Sequence, residues 1–441
     1  MESTPRDYAE RVERPPSRSK GRRLGPLEIV FVVAAIACVT FVVAVEKLGH
    51  HGVNIFGDGL GYYTWARSAV LDRDLDFTNE YTLAPVHETR PDNARRTPKG
   101  LPSNKYPIGL ALIELPPVAF AYGVERVLHI ESERPGYGKL YHVSVIVFLS
   151  LGGLAALYAA FRRLSEQGDR AHVLLLSIAA IGATNLPEYL TRSGSYAHVA
   201  NVALIGLVWM LGQRRSWRLM PSLLIGFLIG LTVAVRNTNV LVVPWMLATF
   251  YAGPSPPRVR DLGHVALGFL AAPLLQLGAN YALWGSPLVE PYPGETFDWL
   301  HPRLFDSLFS SERGWLLWHP WFFVLLVLFV VTWPRRASLA ERATYATCAL
   351  ACLGHWLVNA AWWAWTFGFS FGNRGYLALL PVLTITVGRT RLPIRRSLAT
   401  YAVAALVLWN MNLWTGFLIA SSVGGILDPS LVDSASWLVR R

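Results

Sequence analysis

Apolar runs long enough to cross a lipid bilayer recur along almost the whole chain, and pairs of arginine stand between them. The first runs from Leu27 to Val45. The others are read over 139–161, 171–190, 196–212, 219–235, 238–252, 262–282, 315–333, 343–365, 375–388 and 398–420. A hydrocarbon core about 30 Å thick needs about 20 helical residues to cross it. With 53% hydrophobic and only 16% charged residues, the chain does not suit a soluble fold. The expected fold class is an all-α polytopic membrane protein with about eleven crossings. A net charge of +11 would elsewhere suggest nucleic acid, but arginine-rich loops that orient a membrane protein account for it. No nucleic-acid partner is expected.

The segment before Leu27 carries Arg6, Arg11, Arg14, Arg18, Lys20, Arg22 and Arg23. It is too long and too basic for a secretory leader, and no small-residue cleavage site precedes Glu46 and Lys47. Residues 1–26 are therefore expected to be a cytoplasmic tail. Cys38, Cys348 and Cys352 all lie in apolar runs, which suggests neither a disulfide nor a zinc site.

Short basic clusters mark the cytoplasmic side. They are Arg162-Arg163 with Arg170, Arg214-Arg215 with Arg218, Arg258 with Arg260, Arg335-Arg336 with Arg342, and Arg389 through Arg396. Tyr106 to Leu128 is apolar and long enough to cross, yet a crossing there would move every later cluster outside. Pro116-Pro117 is expected to break that helix, and Glu114 is costly at its centre. The segment is therefore read as lying on or dipping into the outer leaflet.

This parity gathers the polar loops on one face, the outer one. They are the loop from Glu46 to Lys139, LPEYLTRSGSYAH with Glu188 and Arg192, a loop of about thirty residues from Leu283 to Gly314 that is long for a connection, and FGFSFGNRG ending at Arg374. Arg236 joins them at the outer end of its span. The cytoplasmic loops hold little besides arginine, so any chemistry belongs outside.

Asp58, in GDGLGYYTWARS, is the leading catalytic candidate. As a bland alternative, Gly-Asp-Gly makes a tight turn and Asp caps a helix. An ionisable group at a membrane surface is nonetheless a functional candidate. Glu188 is the expected second acid across a cleft, or else an interface carboxylate facing water. Asp72, Asp74 and Asp76 form a doubled Asp-x-Asp, and Asp74 with Asp76 is the candidate site for a divalent ion bridging phosphates. An ordinary solvated turn competes with that reading. Guanidinium forks suit phosphate oxygens. The expected substrate-binding set is Tyr62, Tyr63, Arg67, Lys105, Arg192, Arg236 and Arg374, with Arg236 and Arg374 foremost because each sits at a span end. The histidines have no metal-ligand spacing, and no Walker loop, dinucleotide fingerprint or serine elbow is present.

The arrangement resembles the GT-C superfamily of membrane glycosyltransferases, such as the protein O-mannosyltransferases and the aminoarabinose transferases of lipid A. An Asp follows the first span and precedes a Tyr pair. A Pro-containing apolar helix (YPIGLALIELPP), an acid in the next outer loop (Glu188) and a long outer loop after the seventh span follow in turn. Where those transferases often carry Asp-Glu, Gly59 follows Asp58 here, which leaves metal dependence open. The resemblance implies a GT-C-like bundle in the inner membrane, with a catalytic transmembrane module over 27–282, its outer loop at 46–138, and a variable module over 283–441. It also implies a polyprenyl-phosphate sugar donor, an extracytoplasmic acceptor and inverting transfer. A transporter or flippase of a lipid-linked sugar is the competing class. It would show mid-span charges and broken-helix repeats, and no clear repeat is seen.

Overall fold

The computed structural model describes residues 24–48, 55–83, 95–334, 337–422 and 429–436. The basic tail through Arg23, His50, His51 and Arg335-Arg336 lie outside the described residues. Within them the chain is helical. The first half contains α1 (Pro26–Leu48), α2 (Asp58–Arg67), α3 (Thr78–Leu83), α4 (Gly109–Val127), α5 (Lys139–Ser165), α6 (Arg170–Gly182), α7 (Leu186–Leu190), α8 (Ala197–Gly212) and α9 (Leu219–Val235). The second contains α10 (Val243–Tyr251), α11 (Val259–Trp284), α12 (Asp306–Phe309), α13 (Trp315–Trp318), α14 (Pro320–Val331), α15 (Leu339–Ala361), α16 (Leu379–Gly388), α17 (Arg396–Ser422) and α18 (Leu431–Ser436). Among the described residues α1, α5, α11 and α17 are long and apolar enough to cross a membrane alone. Other crossing segments expected from sequence are built of shorter pieces, as where α6 is followed by α7 and a 3-10 turn (Asn237–Val242) leads into α10.

The outward faces are apolar. Leu267, Leu270, Leu274 and Leu275 of α11 are exposed, as are Ile29, Val32, Val33 and Ile36 of α1. Such surfaces suit lipid as their surroundings, since a soluble monomer rarely shows apolar patches of this extent. Inward, α9 and α11 approach to backbone contact. A Cβ on Gly226 would lie 2.0 Å from the Val265 carbonyl oxygen, one on Gly230 2.2 Å from that of Phe269, and one on Gly268 2.1 Å from that of Leu223. Small residues four apart on one helix are how apolar helices pack closely in lipid, where no hydrophobic force drives them together.

The helix ends sort into two groups. At one end Arg163 donates to the Gln213 carbonyl (2.7 Å), Gln213 to that of Thr249 (3.1 Å), Arg389 to that of Ala252 (2.7 Å) and Arg396 to the Asp169 carboxylate (2.8 Å). The loops that carry Arg163, Arg214, Arg389 and Arg396 thus meet the neighbouring loops at one end of the bundle. The start of α1 belongs to this end, where Tyr158 donates to Glu28 (2.9 Å). The opposite end carries Asp58, Tyr106, Tyr196, Arg236 and Arg374, which line one cavity.

Both ends of α4 lie at that cavity end. Gly109, at its start, abuts the backbone of Ala234 and Val235 where α9 finishes. Near its finish Glu125 accepts from Tyr141, in the first turn of α5. The far end of α5 is 27 residues away, about 40 Å, among the arginines. So α4 does not traverse the bundle. Two details differ from the sequence expectation. The helix runs unbroken through Pro116 and Pro117, where packing against α2, α5 and α9 offsets the lost backbone bonds. Glu114 faces protein rather than lipid or water. It is fully buried, neither carboxylate oxygen finds a partner among the described residues, and burial holds its carboxyl well above the usual carboxylate range.

The α9–α11 contact predicts that Gly230→Leu lowers stability by about 1–3 kcal/mol through overpacking. Gly152, where an added Cβ meets nothing within 4 Å, tolerates Ala. Thermal unfolding of the two variants in detergent measures the difference.

Candidate active site

The site begins with three glycines. Gly57, with φ 55°, caps the start of α2 with a conformation L side chains rarely adopt. A Cβ on Gly59 would strike the Ser195 hydroxyl at 2.1 Å, and one on Gly61 the Tyr106 ring at 2.0 Å. The glycines around Asp58 therefore let α2 lie flush against the turn before α8 and against the chain entering α4. The Asp58 carboxylate accepts from the Tyr106 hydroxyl at 2.9 Å through Oδ1 and from the Arg374 guanidinium at 2.5 Å through Oδ2. The N-cap position itself is Gly57, and Asp58 stands in the first turn of α2.

Arg374 arrives from the segment joining α15 to α16. Its guanidinium carbon lies 4.9 Å from the Tyr196 ring centre and 5.9 Å from that of Phe367. Desolvation weakens its charge, but Asp58 and Tyr196 more than restore it, and its pKa is raised. Arg236, just past the end of α9, lies 5.3 Å from the same Phe367 ring and 3.4 Å from Nδ1 of His198. Among the described residues it makes no ion pair. Desolvation lowers its pKa, and the like charge of Arg374 adds to that effect. Phe367 has φ 58° and is followed by Gly368 at φ 60°. A bulky residue in that region costs about 1–3 kcal/mol and occurs mostly where a site needs it. Here it sets one ring against two guanidinium groups.

The cavity around these groups has a volume of about 690 Å³, within the range for small-molecule sites. Lys105 enters from the chain before α4 and pairs with Glu295. Glu295 also accepts from the Trp363 indole at 3.4 Å. The long loop after α11 brings Glu290, Tyr292, Glu295 and Phe297 into the lining. It is pinned to the end of α15 where Asp298 donates its amide to the Ala361 carbonyl (2.7 Å), Arg303 to that of Ala360 (2.8 Å) and Trp363 to that of Thr296 (3.1 Å). Asn359, buried beside Gly375, also lines the cavity, and its amide nitrogen has no acceptor among the described residues.

Of the residues singled out from sequence, Asp58, Tyr62, Lys105, Arg236 and Arg374 meet in this cavity. The others sit elsewhere. Glu188 is buried, and its two oxygens accept from Ser193 and the Trp414 indole at 2.8 Å each, so it braces the turn before Tyr196. Tyr63 is buried with its hydroxyl on the Gly136 carbonyl. Arg67 is a buried strut holding Asp72 (2.5 Å), Glu80 (2.7 Å) and the Pro135 carbonyl (3.0 Å). Arg192 lies over the Phe369 ring at 4.6 Å and donates to Ser421. Asp74 accepts from Ser68 at 2.9 Å and Asp76 from Thr78 at 2.6 Å, both turn bonds. Among the described residues no three His, Cys, Asp or Glu are grouped to hold a metal ion. The sequence reading missed Tyr106, Tyr196, His198, Glu290, Tyr292, Glu295, Asn359 and Phe367. Only the unusual length of the 283–314 loop hinted at any of them.

No family model matches the chain, and no curated protein matches it. Among solved structures the chain is similar to the archaeal oligosaccharyltransferase AglB from Archaeoglobus fulgidus, in complex with an inhibitory peptide and a dolichol-phosphate. The TM-score is 0.46 and the identity 12%, covering 87% of this chain and 54% of that one, so this chain spans little more than half of its length.

The placement of Arg67 predicts a different outcome from that at Arg236. Arg67→Ala strands Glu80 as an uncompensated buried carboxylate and destabilises the fold by about 3–5 kcal/mol. Arg236→Ala leaves the melting temperature near that of the parent and removes binding of an anionic ligand. Paired melting curves and ligand titrations check both.

Proposed function

We propose that this protein is a membrane glycosyltransferase that moves a sugar from a polyprenyl-phosphate donor to an acceptor hydroxyl on the outer side of the inner membrane. The observation that carries the reading is the meeting of one carboxylate, Asp58, with two guanidinium groups, Arg236 and Arg374, in an aromatic-walled cavity at the ends of apolar helices. The positive-inside rule assigns the opposite, arginine-cluster end to the cytoplasm, and so the cavity to the outer face.

The chemistry needs only groups the cavity contains. The acceptor oxygen forms a bond to the anomeric carbon of the sugar while the bond from that carbon to the phosphate oxygen breaks. The acceptor proton passes to the Asp58 carboxylate, and the leaving phosphate departs with the bonding electron pair. Arg236 and Arg374 stabilise the negative charge that grows on the phosphate. A single displacement of this kind inverts the anomeric centre. Tyr106 holds the base at Oδ1, and Glu188 acts at a distance by bracing the turn that carries Tyr196. Phe297, Trp362 and Phe367 supply flat apolar walls. The acceptor is a cell-envelope glycan, lipid or protein. The competing reading, a flippase of the same lipid-linked sugar, is favoured by no particular contact.

Two outcomes test this. Asp58→Asn keeps folding and membrane insertion but lowers transfer from labelled polyprenyl-phosphate sugars by about 10²–10⁴-fold, the range for losing a general base; near-normal transfer overturns the assignment. For orientation, a cysteine at Leu300, exposed at the cavity end, reacts in whole cells with a membrane-impermeant maleimide. One at Arg215 reacts only after permeabilisation, and the reverse pattern would move the cavity to the cytoplasm.

A further inference from the structure

Asp58 and Arg374 have different tasks in the transfer reaction, yet here they are bonded to each other at 2.5 Å. A carboxylate paired with a guanidinium is a weak base, because the opposite charge favours its ionised form. A guanidinium held by a carboxylate is in turn partly spent for phosphate. We propose that the Asp58–Arg374 ion pair is a clasp that the donor phosphate opens, so that the base becomes available only once the donor is bound. This rests on the glycosyl-transfer reading and adds an order to it: donor first, acceptor second.

The surroundings suit an exchange of partners. Arg374 is kept in place by more than Asp58, since Tyr196 and Phe367 contact its guanidinium. Asp58 likewise keeps the Tyr106 hydroxyl on its other oxygen. Either can release the other without losing its position. Arg236 approaches the same Phe367 ring and makes no ion pair among the described residues, so the resting pair of cations is only half neutralised. An anion drawn first to Arg236 meets Arg374 as its next neighbour. A phosphate presents oxygens that match the guanidinium fork and relieves the repulsion between the two arginines. Asn359, in the same wall with its amide nitrogen unpartnered among the described residues, supplies a further donor. Lys105 is occupied by Glu295, so the exchange falls to Arg374. Once Arg374 turns to the phosphate, Asp58 loses its cation, its proton affinity rises, and it can accept the proton of an incoming hydroxyl.

The clasp makes a counter-intuitive prediction about binding. Removing the competing carboxylate should tighten the grip on anions. Affinities for inorganic phosphate and for a polyprenyl monophosphate in nanodiscs are measured by calorimetry for the parent, Asp58→Asn, Asp58→Ser and Gly152→Ala, each with its melting temperature. Asp58→Asn and Asp58→Ser are expected to bind both probes about tenfold more tightly, the scale of a close charge pair. Gly152→Ala, on α5 outside the cavity lining, leaves the ion pair intact and binds like the parent. A gain for inorganic phosphate alone supports the clasp and overturns the lipid-linked donor. Unchanged or weaker binding of both probes by a folded Asp58 variant overturns the clasp.

Discussion

The contact between Asp58 and Arg374 joins parts of the chain 316 residues apart. Charges of opposite sign in a partly dehydrated cleft attract strongly and tolerate little misplacement. For them to meet, the first polar loop and the link between α15 and α16 must reach one point, and much of the bundle is arranged so that they do. The glycines around Asp58 bring α2 down onto the turn before α8. Glu188 braces that turn from behind, and Tyr196 passes the support to Arg374. A left-handed Phe367 closes the arrangement. Several features that look unrelated along the chain, a Gly-Asp-Gly, a buried glutamate and a strained phenylalanine, thus serve one ion pair.

The rest of the fold supplies the frame. Backbone contact between α9 and α11 fixes the helix ends that present Arg236 and Tyr292 to the cavity. Arginines at the opposite end cap carbonyls of neighbouring helices, so the basic residues between the apolar runs also tie its loops together. The two ends differ in character. One is a mesh of arginine-to-carbonyl bonds, while the other alternates charge with aromatic surface around an open volume.

Much of this was legible in the amino-acid order because membranes impose simple rules. Run length showed where helices pass, and arginine spacing showed which ends share a side. That was enough to bring Asp58, Lys105, Arg236 and Arg374 together without any pairwise contact being known. What stayed hidden depends on packing between distant segments. Glu188 and Arg67 look like site residues in sequence because their charge is visible and their burial is not. Tyr106 and Phe367 look like ordinary apolar surface because hydroxyl direction and backbone sign leave no mark in a hydropathy pattern. Pro116-Pro117 reads as a break, since sequence cannot weigh the contacts that keep α4 whole.

One consequence concerns how the protein is made. A continuous helix of 19 residues, mostly apolar, that begins and ends on the same side of the bundle must not be accepted as a span when it is first offered to the bilayer. If it were, every later helix would be inserted upside down. A carboxylate at the middle of such a segment costs about 2.5–3.5 kcal/mol on insertion scales. In the finished molecule Glu114 sits buried with no partner among the described residues, where it contributes nothing favourable to the fold. The same carboxylate that weakens the packed bundle makes lipid a poor environment for α4 wherever α2, α5 and α9 do not cover it.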